Sequence, residues 1–233
     1  MAIKEAKIRK FLSKKIQQLN DIVADLDTMV TEMGLEFYRV SIFGSARIKP
    51  NSTYYKIVHD LAFALASRGV DIVTGGGPGL MEAANLGAKT GSNQSRSFGL
   101  PIDLPYEADA NSHLDVKYQH RRFSSRLDEF MRISHAVVVT PGGIGTLLEL
   151  FYTWQLMQVG HITRRPTILL GKDFWKDLLK WLDEVPLKSA LLDAKDLESI
   201  VVVDSVDEVI KHLDPAIKQF QSLKAKARTD SPT

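Results

Sequence analysis

The sequence predicts an α/β protein with a doubly wound parallel sheet and a long N-terminal helix. From residue 36 onward, short β-branched apolar runs alternate with segments of helical periodicity, which is typical of a parallel sheet covered by helices on both faces. Three of these runs lead into loops that carry glycine or serine, at residues 44–47, 75–79 and 141–146. Residues 4–33 contain neither glycine nor proline, as expected for one uninterrupted helix.

The N-terminal helix is predicted over residues 1–35. Its apolar residues recur mostly at intervals of three or four: Ile8, Leu12, Ile16, Leu19, Val23, Leu26, Val30 and Met33. This spacing is typical of a coiled-coil seam, and also of a long helix packed across its own domain. The pattern favours neither over the other, so a dimerisation element and an internal packing helix both stay open.

The main domain is predicted over residues 36–215. Its strands are expected at 38–43, 70–74, 97–100, 137–139, 167–170 and 200–203. Its helices are expected at 54–67, 80–88, 118–134, 146–159, 174–182 and 206–212. Residues 216–233 are predicted to be a helix end and a flexible tail, frayed from residue 224 onward.

Length and composition exclude several classes of protein. A chain of 233 residues suits one α/β domain. The net charge is only +2, from 30 basic and 28 acidic residues, which predicts binding to neither nucleic acid nor membrane. There is no cysteine, so disulfides and thiol nucleophiles are excluded. No apolar run approaches the roughly 18 residues of a membrane span, and we expect a soluble cytoplasmic protein.

The loop after the strand at 137–139 is the most informative stretch. Residues 141–146 read PGGIGT and lead directly into a predicted helix. The first amide N–H groups of a helix are unpaired and carry partial positive charge, so they are suited to an anion such as phosphate. An ordinary glycine-containing turn is the alternative. Parallel strands end at one edge of the sheet, and the loops at 44–47 and 75–79 should therefore lie beside this one.

Common nucleotide-binding and metal-binding patterns are absent. Residues 44–49 read GSARIK, so the GxGxxG fingerprint is missing, and GxxxxGK[ST] occurs nowhere. The six histidines show no ligand spacing, so we predict no metal and no cofactor. The predicted fold is Rossmann-like in its alternation of strands and helices, without the usual dinucleotide signature.

Two residues offer chemistry beside a bound phosphate. Glu149 lies on the helix that the phosphate loop begins, where its carboxylate could stabilise positive charge developing on a ribose. Arg126 belongs to an arginine-rich segment, HRRFSSR at 120–126, and its guanidinium suits phosphate or ribose oxygens. The alternative is an ordinary first-turn carboxylate and a surface arginine.

These residues resemble the Lonely Guy (LOG) family, long labelled as lysine decarboxylases. Residues 141–149, PGGIGTLLE, match the PGGxGTxxE motif, and Arg126 lies fifteen residues before Pro141, where the family's motif arginine is expected. Residues 75–85, GGGPGLMEAAN, and 43–47, FGSAR, resemble two further family segments. The resemblance extends over residues 36–205. Leu127 departs from it, because the family commonly has lysine there, and Arg121 or Arg122 is a candidate replacement.

The resemblance implies a phosphoribohydrolase that splits a nucleoside 5′-monophosphate, either AMP or a cytokinin riboside monophosphate, into base and ribose 5-phosphate. It implies that Arg126 and Glu149 are catalytic. It assigns substrate binding to Ser45, Gly76, Gly77, Gly79, Met81, Glu107, Arg122, Gly142, Gly143, Ile144, Gly145 and Thr146. It also implies a homodimer or higher homo-oligomer. A nucleotide or molybdenum-cofactor carrier on the same fold, without turnover, is the alternative, and such a carrier does not need the Arg126 and Glu149 pair.

Overall fold

The computed structural model describes residues 9, 12–16, 19, 23, 37–92, 94–103 and 110–230. The chain divides into two compact units, Met1–Glu36 and Phe37–Thr233. The described residues of the first unit are helical, as predicted. Four seam residues there are more than half exposed: Leu12, Ile16, Leu19 and Val23. The other seam residues lie outside the described part.

The second unit contains a seven-stranded, fully parallel sheet. Its strands are β1 (Arg39–Phe43), β2 (Asp71–Thr74), β3 (Ser97–Gly99), β4 (Val116–Lys117), β5 (Ala136–Val139), β6 (Thr167–Leu170) and β7 (Ile200–Val203). Its helices are α1 (Thr53–Ala66), α2 (Leu80–Gly91), α3 (Phe123–Ile133), α4 (Ile144–Gln158), α5 (Lys172–Leu182), α6 (Ala194–Leu197) and α7 (Val206–Asp230). A short π-helical segment, Asp183–Leu187, follows α5.

The strand order is β4-β3-β2-β1-β5-β6-β7. From β1 the chain runs outward to β4 and then returns to the opposite side of β1 to begin β5. The sheet therefore has a switch point between β1 and β5, where ligands bind in open parallel sheets. The loops after these strands touch, since Ser45 N–H donates to the carbonyl of Pro141 at 3.1 Å. The α/β class with a doubly wound parallel sheet is confirmed.

The sheet separates two apolar cores, because successive side chains of a strand point to opposite faces. On β1, Val40 and Ile42 pack in the core that includes α1, α2 and α7. Phe43 points to the other face and packs edge-on against Phe130 of α3, with ring centroids 4.9 Å apart. Both faces are covered, which explains why the central strands read as continuous apolar runs.

Several element boundaries differ from the sequence prediction by a few residues, and the largest differences before the C-terminal helix lie at 116–123. Strand β4 was not predicted, because two residues without a β-branched run give almost no signal. Helix α3 begins at Phe123 and not at 118. The backbone before it is instead extended: Val116 and Lys117 pair with β3, and His120 forms a parallel bridge to Ile102.

The C-terminal prediction was also wrong. The last helix does not end at His212, and residues 224–230 are not a frayed tail, because α7 continues to Asp230. Pro215 lies inside it, at a cost of roughly 3 kcal/mol in a helix interior. Leu213 and Ile217 on either side are buried in the first core, and burying such side chains offsets that cost. Among the described residues, no helix is long and apolar enough to cross a membrane.

Candidate active site

A cavity of about 530 Å³ lies at the carboxyl edge of the sheet. Its size is within the usual range for small-molecule sites. Eight of the predicted site residues line it: Ser45, Met81, Arg126, Gly143, Ile144, Gly145, Thr146 and Glu149. Four further lining residues were not predicted as site residues: Gly44, Ala46, Arg47 and Phe123. The cavity thus combines both sides of the sheet's switch point with α3 and the first turns of α4.

The first turn of α4 forms one wall of the cavity. The helix begins at Ile144, and its N-cap residue is Gly143. Among the described residues, no side chain accepts a capping hydrogen bond from the first-turn N–H groups. The first-turn N–H groups have no acceptor within the helix, so they are available to an anion. Thr146 is buried there and packs directly against the backbone of Gly142. This wall has the chemistry of a phosphate site.

Glu149 lies just over one turn further along α4, at the inner end of the same wall. The residue is only 9% exposed. Burial raises the pKa of its carboxyl group to about 7, although the nearby charge of Arg126 acts in the opposite direction. A carboxyl group with a pKa close to neutrality can both accept and release a proton under ordinary conditions.

Arg126 holds a fixed position opposite Glu149. Its Nε donates to the carbonyl of Leu100 at 2.6 Å, and its Nη1 lies 3.7 Å from Glu149 Oε1. The guanidinium carbon lies 5.4 Å from the centre of the Phe130 ring. Three contacts from different elements therefore orient the charge before any ligand binds.

The loop at 75–79 gives Arg126 its space. A Cβ atom on Gly75 would lie 2.2 Å from Arg126 Nη2, so only glycine admits the guanidinium here. At Gly79, φ is +71° and a Cβ would lie 2.4 Å from the carbonyl oxygen of Ser45. Leu80 N–H donates to that same oxygen at 2.9 Å. The loop thus supports the arginine and binds the loop after β1.

Asn111 is a structural support that the sequence analysis missed. Its Nδ2 donates to the carbonyls of Gly76 and Gly77 at 3.1 and 3.0 Å and to Asn85 Oδ1 at 2.9 Å. The buried side chain of Asn85 in turn accepts from Thr74 Oγ1 at 2.7 Å. Asn85 belongs to the GGGPGLMEAAN segment, but Asn111 comes from irregular chain with no motif, and no sequence signal marked it.

The remaining predicted residues are less closely associated with the cavity. Arg122 is exposed at the N-cap of α3, and its neighbour Arg121 is exposed as well. Glu107 lies outside the described residues. Leu127 is buried in the core at 7% exposure. An apolar side chain therefore packs in the core at the position where the family commonly has lysine. Within the described ranges, no group of three His, Asp or Glu side chains could hold a metal ion.

Comparison with known proteins places the chain in a family. A family model described as "Possible lysine decarboxylase" matches residues 81–213. A pyrimidine/purine nucleotide 5′-monophosphate nucleosidase of Escherichia coli is 28% identical over 179 residues, covering 72% of this chain and 39% of that protein. A cytokinin riboside 5′-monophosphate phosphoribohydrolase of Arabidopsis thaliana is 28% identical over 184 residues, covering 77% and 83%.

Solved structures share the fold. A molybdenum cofactor binding protein from Rippkaea orientalis aligns with a TM-score of 0.60 and 19% identity, over 78% of this chain and 98% of that one. The molybdenum cofactor carrier protein of Chlamydomonas reinhardtii aligns with a TM-score of 0.58 and 20% identity, over 80% and 99%. At such identities, the likeness concerns the fold alone.

The match to the family model extends over more than half of the chain. It includes the arginine of α3, the glycine-rich loop after β5 and the carboxylate of α4. The protein therefore belongs to the possible lysine decarboxylase family, which is the Lonely Guy family that its motifs resemble.

Proposed function

We propose that the protein hydrolyses the N-glycosidic bond of a nucleoside 5′-monophosphate, AMP or a cytokinin riboside monophosphate, and releases the free base and ribose 5-phosphate. The observation that carries this proposal is the pair formed by Arg126 and Glu149 beside the first turn of α4, on the wall of one cavity. A pure carrier would need the wall but has no use for a buried carboxylate with a pKa of about 7.

The first turn of α4 would hold the 5′-phosphate. Gly142, Gly143, Ile144, Gly145 and Thr146 supply backbone N–H groups and the positive end of the helix dipole. Glu149 follows on the same helix, which directs the ribose of the bound nucleotide toward the carboxylate. Ser45 and Met81 line the cavity, and we assign them to the nucleotide together with Gly76, Gly77, Gly79, Arg122 and Glu107.

The reaction would proceed at the anomeric carbon of the ribose. Water adds to this carbon as its bond to the base nitrogen breaks, and the bonding electron pair leaves with the base. Glu149, as the carboxylate, accepts a proton from the water and stabilises the positive charge that develops on the sugar. The departing base takes up one proton, and Glu149 then releases the proton that it accepted, so that one water supplies in balance the hydroxyl group on the ribose and the proton on the base. Arg126 orients the ribose and, by its charge, favours the ionised form of Glu149.

The names of two relatives support this substrate class, since both describe enzymes acting on nucleoside 5′-monophosphates. The chain spans about 39% of the length of the bacterial nucleosidase it matches, and 83% of the plant enzyme. The match to the plant enzyme therefore involves nearly the whole of that protein, and it includes the α4 wall and the arginine.

We also propose that the protein is a cytoplasmic homodimer or higher homo-oligomer. Helix α4 supports the proposed homo-oligomer, because it presents exposed apolar side chains beside the cavity: Ile144, Leu148 and Phe151. A second copy of the chain is the occupant we assign to this surface, since Ile144 belongs both to it and to the cavity wall. The second candidate interface is the seam of the N-terminal helix, whose four described residues are exposed: Leu12, Ile16, Leu19 and Val23.

Incubation with AMP tests the function. We expect the purified full-length protein to release adenine and ribose 5-phosphate, detected by chromatography. Glu149→Gln should abolish release while AMP still binds, measured by calorimetry. A wild-type protein that binds AMP for hours and releases no base would establish the carrier alternative. A panel of purine and pyrimidine monophosphates in the same assay identifies the preferred base.

A further inference from the structure

We infer that Arg47 is the cation that recognises the 5′-phosphate of the nucleotide. The inference rests on the proposed function and assigns a recognition residue to the same site. Arg47 follows β1, outside the arginine-rich segment from which compensation was expected. Arg47 is one of the residues that line the cavity, whereas Arg121 and Arg122, at the start of α3, are not.

The first argument is the position of the backbone of Arg47. Its N–H donates to Ser45 Oγ at 3.1 Å, which closes a tight turn in the loop after β1. Ser45 N–H is in turn bonded to the carbonyl of Pro141 at 3.1 Å, the residue that begins the phosphate loop. Arg47 is therefore two residues from a direct hydrogen bond to that loop, and it lines the same cavity as the first turn of α4.

The second argument is the state of the two arginines in the cavity. Arg126 is engaged, because it donates to Leu100 and lies beside Glu149. Arg47 is exposed, and its side chain has neither an ion pair nor a hydrogen bond to any residue that the structure describes. An arginine without a partner on a cavity wall can turn toward an incoming anion without losing an existing contact.

The third argument is charge. A nucleotide phosphate carries about −1.5 to −2 near neutral pH. Glu149 offsets the charge of Arg126 when it is ionised, so the two add little net positive charge. Backbone N–H groups supply partial charges only. Among the described residues that line the cavity, Arg47 brings the one further full positive charge. A guanidinium can contact two phosphate oxygens at once.

Binding measurements in a non-hydrolysing background test the assignment. In Glu149→Gln protein, we expect Arg47→Gln to weaken AMP binding by about tenfold to a hundredfold, the range for losing a charge-assisted phosphate contact. Adenosine, which lacks the phosphate, should bind both proteins within about twofold. The affinity of the Arg47→Lys variant for AMP should lie between that of the Glu149→Gln parent and that of the Arg47→Gln variant. Arg164→Gln removes an exposed arginine before β6, at the opposite edge of the sheet, and should match the parent.

Steady-state kinetics give the second readout. With Glu149 intact, Arg47→Gln should raise KM for AMP by a similar factor and leave kcat within about threefold, because the contact holds the phosphate in both ground and transition states. Unchanged AMP affinity in Arg47→Gln would overturn the inference, as would an equal loss for adenosine. If wild type binds AMP through Arg47 but releases no base, the inference stands and the proposed function fails.

Discussion

Arg126 Nη1 and Glu149 Oε1 lie 3.7 Å apart, and this pair joins two parts of the chain that the sheet topology brings together. Arg126 comes from α3, before β5, and Glu149 comes from α4, after it. The two opposing effects on Glu149 are unequal, since burial raises its pKa more than Arg126 lowers it, and the result is about 7. A carboxyl group in this state makes the site sensitive to pH.

Activity should therefore rise with pH. We expect kcat for AMP to increase through a midpoint close to pH 7 and then level off, because only the carboxylate accepts a proton from water. The assay should extend from about pH 5 to 9, with saturating substrate, so that phosphate ionisation at about pH 6 does not dominate the profile. A rate that falls with pH over this range would mean that the protonated form of Glu149 is the active one.

Glu149 should also make the fold less stable at alkaline pH. Its pKa is higher in the folded protein, at about 7, than the ordinary glutamate value of 4.5, so the folded state binds more protons between these two pH values. The free energy of unfolding of the wild type should fall as pH rises through that window. Glu149→Gln has no such dependence and should be more stable at pH 8 by on the order of 1–3 kcal/mol.

Urea unfolding of both proteins at pH 8 and at about pH 4.5 checks this. The difference between them should nearly vanish at the lower pH. Glu184→Gln is the matched control, because Glu184 is an exposed carboxylate in the π-helical segment. A difference between wild type and Glu149→Gln that is the same at both pH values would contradict the assigned shift.

Two glycines of one loop should respond differently to alanine. Gly75→Ala meets the ends of two flexible side chains, Arg126 and Met81, so we expect near-normal thermal stability. The displaced guanidinium should lower kcat/KM by about 10- to 1,000-fold. Gly79→Ala meets the backbone of Ser45 and Ala46 at a positive φ, and should lower stability by about 1–3 kcal/mol. Equal effects of the two variants on stability would argue against this distinction.

The side chain of Asn111 should stabilise the loop at 75–79 through its hydrogen bonds to that loop. In Asn111→Leu, the carbonyls of Gly76 and Gly77 lose a donor, at an expected cost of about 1–3 kcal/mol in the free energy of unfolding. We expect KM for AMP to rise because the loop is less well fixed. Asn51→Ala, at an exposed asparagine, is the control for denaturant titration and kinetics. An Asn111→Leu protein with wild-type stability would show that the network is dispensable.

The assembly is tested by light scattering on the intact chain. Leu148→Glu combined with Phe151→Glu places charge on the exposed face of α4 and should reduce the mass to that of a smaller assembly. Leu12→Glu combined with Leu19→Glu makes the same change on the N-terminal helix. The pair that lowers the mass identifies the interface, and a monomeric wild type would refute the homo-oligomer.

The central fold could be predicted from the sequence because its signals are local. The β-branched runs of β1, β2 and β5 and the glycines that follow them each mark a strand end, and parallel topology then brings these loops to one edge. The sequence could not give the spatial relation of Arg126 to Gly75, since it depends on a side chain crossing from α3 to the end of β2. The role of Asn111 could not be predicted for the same reason, because its hydrogen bonds join it to a distant part of the chain.

The errors have physical causes as well. Strand β4 consists of two residues fixed by pairing with β3, and its own sequence gives no hint of extended structure. Helix α7 passes through Pro215 because Leu213 and Ile217 are held in the core, a tertiary effect that outweighs local preference. Arg47 is the last residue of the FGSAR segment, and its place in the cavity depends on how Ser45 turns the chain toward Pro141.

The switch point in the strand order has a consequence for how the site responds to its surroundings. Arg126 is hydrogen-bonded to Leu100 after β3 and packs against Gly75 after β2, whereas Glu149 lies on α4, which follows β5. A small change in twist between the two sides would alter the 3.7 Å separation, and with it the proton affinity of Glu149. A ligand, a neighbouring subunit or a distant substitution that shifts one side of the sheet against the other should therefore change the pKa of Glu149.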